Sequence, residues 1–176
     1  MVDKIKEYTD ECLTHKMYVL QSAMILSDYL IDNGNIPLAL DLIKRCSVHD
    51  NSKFESLEMK SLMSIGDKTD LKDPNIMLTE DKCDAIRIHW QNNPHHPEYH
   101  HTIYGMSDLD LMEMACDCYA RSMQYGTNFL DFITTRQENR FQFPEEIFSK
   151  YYQFCCILDT NGRIAETPKC LNKKIS

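Results

Sequence analysis

Glycine, proline and tryptophan are scarce in this 176-residue chain, with five, six and one of each, and no apolar run approaches the length of a membrane span. So few turn-formers exclude a loop-rich or collagen-like chain, and 43% hydrophobic residues exclude a disordered one. The positive side of the charge balance is also thin. Nineteen Lys and Arg stand against 27 Asp and Glu, for a net charge of −8. No basic field is available for a long nucleic acid, whereas a small anion remains possible wherever something local attracts it. The eight cysteines contain no C-x-x-C pair, which removes the zinc-ribbon and dithiol readings and leaves them as reduced core residues. The first residues lack the apolar centre of a signal peptide, so the expectation is a cytoplasmic protein with no membrane segment.

What is present is helical periodicity. Ile5, Tyr8, Cys12, His15, Val19, Ala23, Leu26 and Leu30 step by threes and fours along one face of a helix from about Lys4 to Asn33. Asn33-Gly34-Asn35 stops it, and Pro37 opens a second helix running to Cys46, with His49-Asp50 directly after. A weaker helical stretch around Phe54, Leu57, Leu62 and Met63 precedes a polar loop from Gly66 to Asn75. Thr79 then caps a helix that ends near Asn92, ahead of Pro94 and Pro97. Ser107 caps another, which ends at Gly126 and carries Asp117 at the edge of its apolar line. Helices from Phe129 to about Arg140 and from Pro144 to Leu158 complete an all-α, single-domain helical bundle over residues 1–160, with a polar tail over 161–176.

Seven histidines stand out against this background, five of them between positions 89 and 101. His15 lies on a face that should be buried, His49-Asp50 ends a helix, His89 falls near the end of another, and Asp117 sits within a later one. Each alone has an ordinary structural reading: a hydrogen-bonded core histidine, a common dipeptide, a salt-bridge partner. Together they supply the imidazole and carboxylate ligands that suit divalent Mn, Fe, Co, Ni or Zn, gathered from several helices as mixed sites in bundles are. In the adjacent pair, the imidazole can bind one ion while the carboxylate shares it or bridges to a second. Glu98 and Glu113 are further carboxylates close in sequence, His95 and His96 are additional candidates for metal or substrate, and His100 and His101 read as loop residues.

The order H…HD…D formed by His15, His49, Asp50 and Asp117 resembles the HD-domain superfamily of metal-dependent phosphohydrolases. His49-Asp50-Asn51-Ser52-Lys53-Phe54 also resembles the HD-x-x-K form of its motif. Together with His89 and Asn93-Pro94-His95-His96, and with Tyr125-Gly126 closing the helix of Asp117, these residues resemble an uncharacterised HD-like family common in bacteria and phages. The resemblance covers roughly Thr14 to Gly126 and implies the HD-type bundle.

The resemblance also implies a metal site of one or two divalent ions held by His15, His49, Asp50, His89 and Asp117. Asp50 would be catalytic beside the attacking water, and Lys53 would meet the substrate phosphate, aided by Lys16 or Arg121. The implied reaction is hydrolysis of a nucleotide or other small phosphorylated metabolite in the cytoplasm of a bacterial or phage-infected cell, with homo-oligomerisation left open. Two alternatives stand beside it. One is a di-iron oxygenase using His15, His49, Asp50, His89, His96 and Asp117; the other is a non-catalytic nucleotide-binding or interaction module.

Overall fold

The structure is a computed structural model that describes residues 2–64 and 80–166. Seven α-helices, joined by short 3₁₀ and π turns, account for the fold among the described residues, in which no strand occurs: α1 (Val2–Asp32), α2 (Ile36–Ser47), α3 (Ser56–Ser64), α4 (Glu80–Asn92), α5 (Asp108–Tyr125), α6 (Phe129–Arg136) and α7 (Glu145–Glu166). None of the described helices is long and apolar enough to cross a membrane. The loop at 66–75 and the cap at Thr79 lie outside the described residues.

Helix α5 is the axis of the bundle. Eleven of its residues, from Asp110 through Ser122, are buried, because α1, α2, α6 and α7 all pack around it. Its start is fixed by a reciprocal capping box in which the Asp110 backbone N–H donates to the Ser107 hydroxyl and the Ser107 backbone N–H donates to the Asp110 carboxylate. Gly126, at φ 63°, terminates it in the left-handed region that glycine enters without a Cβ penalty.

Helix α1 buries Tyr8, Cys12, His15, Val19, Ala23, Leu26 and Leu30, the stripe that the periodicity marks, while Ile5 stays exposed one turn earlier. At the next junction the Asn35 side chain accepts from the Leu38 N–H, and Pro37 sits in the first turn of α2, where no N–H is needed. Burial of side chains such as Val19, Leu26, Leu42, Ile133 and Leu158 supplies about 1.5–3 kcal/mol each. Cys12, Cys46, Cys116, Cys118 and Cys155 are buried free thiols within the same packing.

Two boundaries differ from the sequence expectation. Helix α6 stops at Arg136 rather than near Arg140, because the chain widens into a π turn over Gln137–Phe141 and leaves it through Gln142 at φ 46°. Helix α7 continues past Leu158 and through Gly162 to Glu166, so the helical body extends beyond residue 160. Glycine is tolerated there because α7 lies so close to α5 that any Cβ on Gly162 would run into the Tyr119 hydroxyl.

Candidate metal centre

The centre lies where α1, the turn after α2, α4 with its following loop, and α5 meet. His15 comes from α1, while His49 and Asp50 come from the turn leaving α2. His89 ends α4, His95 and His96 follow in the Asn93–Tyr99 loop, and Asp117 comes from α5. All five residues implied as metal ligands by sequence are therefore brought together, and both His95 and His96 join them. Geometrically they fall into overlapping groups: His15, His49 and Asp50; Asp50, His89, His95 and His96; and His49, His95 and Asp117, the ligand atoms within each group lying within 4.8 Å of one another. This buried cluster can hold a metal ion, and Asp50 belongs to two of the groups.

The local backbone explains how adjacent residues reach one centre. Asp50 has φ 54° and ψ 25°, a left-handed conformation that short polar residues accept more readily than others. This reversal places the Asp50 carboxylate beside its own neighbour, Oδ2 lying 3.3 Å from His49 Nε2, while Oδ1 lies 3.7 Å from His89 Nε2 and 3.6 Å from His95 Nε2. Asp117 Oδ1 is 2.7 Å from His15 Nε2 and 3.8 Å from His49 Nε2. The imidazole Nε2 atoms thus converge on two carboxylates.

Each of these rings is anchored from behind. His15 Nδ1 meets Gln124 Oε1 at 2.8 Å, His49 Nδ1 meets Glu113 Oε1 at 2.9 Å, and His89 Nδ1 meets Glu58 Oε1 at 2.8 Å. His95 Nδ1 lies 3.3 Å from the same Glu113 oxygen, within ion-pair reach but outside hydrogen-bond alignment. With the proton on Nδ1, each ring presents the Nε2 lone pair inward, the tautomer a metal ligand requires. Glu113 is held in turn by Arg45, whose guanidinium also donates to Asp110 at 2.8 Å, and Glu58 accepts from the Asn92 amide at 3.0 Å.

Several buried atoms find no hydrogen-bond partner: His49 Nε2, Asp50 Oδ1 and both ring nitrogens of His95. His96 Nε2 and His89 Nε2 face each other at 3.0 Å, an approach of two lone-pair nitrogens that needs a proton or a cation between them. Uncompensated polar atoms are costly at this depth, His49 and His95 being 1% exposed and Asp50 3%. A divalent cation with nitrogen and oxygen ligands would satisfy them, so the residues present fit such an ion.

Electrostatics point the same way. Burial works against charge on His49, but Asp50, Glu113 and Asp117 outweigh it and lift its pKa to about 10. Burial also opposes ionisation of Asp50, yet His49 and Lys53 hold its carboxyl well below the usual range. Asp117 is held down likewise, against burial, chiefly by His15, and Glu113 falls to about 2 against burial through His49 and His95. Burial lowers His15 and His89, and burial together with the neighbouring His95 and His89 holds His96 well below its ordinary value. The centre therefore combines ionised carboxylates with His15, His89 and His96 biased toward neutrality, and the charge that the carboxylates draw onto His49 is one a divalent cation would replace, leaving His49 neutral at Nε2.

Lys53 Nζ lies 2.6 Å from Asp50 Oδ2, bringing the lysine of the motif to the centre. Tyr8 ties the same turn to α1 by donating to the Lys53 carbonyl, and Lys16 reaches Asn51 in that turn. Arg121 Nε is 3.6 Å from Asp117 Oδ1. His100 instead donates to the Pro94 carbonyl, which suits its loop reading, and His101 is exposed. Glu98 pairs with Arg140 at 3.2 Å and does not anchor the ligand rings. Glu58 and Gln124, which do, carry no signal in sequence beyond their positions on helices whose packing was not yet known.

No curated protein and no solved structure matches this chain. A family model does match, over residues 4–154, a span containing every ligand and every anchoring residue described above. The chain belongs to that family, the family of unknown function DUF5662.

Proposed function

We propose that this protein is an HD-type metal-dependent phosphohydrolase acting on a nucleotide or other small phosphorylated metabolite. The observation that carries this reading is the set of rings anchored at Nδ1 by Gln124, Glu113 and Glu58, with their Nε2 atoms turned toward Asp50 and Asp117. His15, His49, Asp50 and Asp117 would hold one ion, while Asp50 with His89, His95 and His96 would hold a second. Such ions, as Mn, Fe, Co, Ni or Zn, supply Lewis acidity that activates water and polarises a phosphoryl oxygen.

The chain's own residues do the rest. Asp50 holds its carboxylate between the two groups, where it orients a water and accepts its hydrogen bond. Lys53, only 12% exposed, offers an ammonium to the phosphate at the edge of the centre, with Lys16 and Arg121 adding positive charge nearby. This local field suits a small phosphoester despite the net charge of −8. Glu113 and Glu58 keep their histidines oriented and need not touch substrate.

Elemental analysis of the purified chain, followed by a screen of nucleotides with each metal, tests the reading. Asp50→Ala should abolish metal-dependent phosphate release while helical content stays intact; release surviving that change overturns the assignment. The three imidazoles grouped on Asp50 form a nitrogen-rich set that also suits iron, which favours the di-iron oxygenase as the second reading. Two irons per chain with oxygen-dependent turnover would replace hydrolysis by that chemistry. A nucleotide that binds and stays intact under every metal would indicate a binding module.

A further inference from the structure

Near Asp117, three arginines come within electrostatic reach of one another where only one has a place in the reading above. Arg121 follows Asp117 by one turn of α5. Arg136 ends α6, and Arg140 lies within the π turn that follows. That turn is built rather than slack: the Gln137 side chain donates to the Phe143 carbonyl at 2.8 Å and accepts from the Phe143 N–H at 3.1 Å, bracing a left-handed Gln142. Arg140 lies 4.9 Å over the Trp90 ring, and Trp90 is 6.4 Å from His96, so this arm begins at the histidine cluster itself.

Arg136 and Arg140 rest on aromatic faces, whereas Arg121 pairs with Asp117. Arg136 stacks 5.0 Å over Phe132, and among the described residues no carboxylate lies within ion-pair distance of it. Arg140 has Glu98 at 3.2 Å, a pair about one-third exposed at each side chain and easily exchanged in water. Burial, then the like charges of Arg140 and Arg121, pushes the pKa of Arg136 down, as expected of a cation held beside like charges with no carboxylate of its own among the described residues. Planar guanidinium groups supported on rings are pre-organised forks for phosphate oxygens.

We propose that Arg121, Arg136 and Arg140 form a subsite for a further phosphate of the substrate, so that this protein acts on a compound bearing a phosphate chain rather than a single phosphate. The proposal rests on the hydrolase reading for the phosphate placed at the His/Asp centre, and names the class of compound that reading leaves open. Three guanidinium groups match the charge of a di- or triphosphate better than that of one carboxylate.

Trp90 is the single tryptophan of the chain and touches the subsite, so its emission reports occupancy. The full-length chain is titrated with inorganic triphosphate and with orthophosphate at physiological ionic strength. Triphosphate should saturate at a concentration about tenfold lower, the size of one or two charge-assisted hydrogen bonds. Arg136→Ala leaves the Arg140–Trp90 stack in place and should remove most of that preference, while Arg136→Lys keeps part of it and orthophosphate binding stays unchanged. Circular dichroism checks the fold, and Arg136→Gln replaces the alanine variant if helical content falls.

Triphosphate also sequesters metal, so metal content is measured before and after; the arginines predict the same preference in the metal-free chain. Equal saturation by the two anions, or an Arg136→Ala variant that behaves like the parent, overturns the subsite. A chain that never binds metal overturns the hydrolase reading instead, whatever its anion preference.

Discussion

Glu113→Gln is the sharpest perturbation of the centre because Glu113 serves two rings at once. Its Oε1 lies 2.9 Å from His49 Nδ1 and 3.3 Å from His95 Nδ1, and its Oε2 lies 3.4 Å from Arg45. A glutamine keeps the shape but has one acceptor oxygen and one donor amide. If its oxygen faces the histidines, the amide points at the Arg45 guanidinium; if it turns over, the amide faces ring nitrogens that must themselves donate. The negative charge that helps raise the basicity of His49 is lost either way.

Loss of an anchoring partner of this kind lowers metal affinity by roughly 10- to 100-fold, which corresponds to about 1.4–2.7 kcal/mol for each ion. Since His49 belongs with His15 and Asp50, His95 with Asp50, His89 and His96, and both with Asp117, binding at every group should weaken. Among the clustered histidines Glu58 meets only His89, so Glu58→Gln should weaken the group of Asp50, His89, His95 and His96 and spare the two groups without His89. The assay is a competitive titration of the apo chain with metal against a chromophoric chelator, with circular dichroism confirming the fold. Metal affinity of Glu113→Gln within twofold of the parent would refute the anchoring role, and identical patterns in the two variants would refute the division into overlapping groups.

Three further outcomes follow from the packing. Ser107→Ala removes the hydroxyl of the α5 capping box and should lower stability by about 0.5–2 kcal/mol in urea denaturation. Gly162→Ala forces a methyl against the Tyr119 hydroxyl between α7 and α5 and should cost about 1–3 kcal/mol by overpacking in the same measurement. Burial pushes the Cys118 thiol up to about 12 and raises Cys116 and Cys155 well above the ordinary range. These three should resist a maleimide at neutral pH in the native chain and react only after denaturation, as mass spectrometry would read.

The long helices were legible because their apolar stripes repeat without interruption. The α1 stripe from Tyr8 to Leu30, the Asn33-Gly34-Asn35 stop, Pro37 at the opening of α2, the Ser107 cap and the Gly126 stop are local signals, and the structure contains them where the pattern places them. The ligands were legible too, since histidine on a buried face and His-Asp at a helix end are unusual enough to notice. Their anchors were not: Glu58 and Gln124 look like any surface residue until α3 and α5 are set against the histidines they hold. The π turn was equally hidden, because Gln137 acts through a side-chain clamp on Phe143 rather than through periodicity, and so a single helix to Arg140 was expected. Gly162 in mid-helix would ordinarily signal an end, and only the approach of Tyr119 explains its place inside α7.

The way α4 is attached to the rest of the chain carries a dynamic consequence. It packs chiefly on α3 and the adjoining 3₁₀ turns, whereas the main body is α1, α2, α5, α6 and α7 wound on one another. Its ties to that body are the contacts of the centre, His89 to Asp50 and the following His95 to Glu113, and the stack of Arg140 on Trp90. The α3–α4 pair should therefore open as a separate cooperative unit, with an opening free energy that rises when the centre holds an ion. Stripping the centre should speed amide exchange in α3 and α4 well before it does so in α5, making the ion a clasp between two units that otherwise breathe independently.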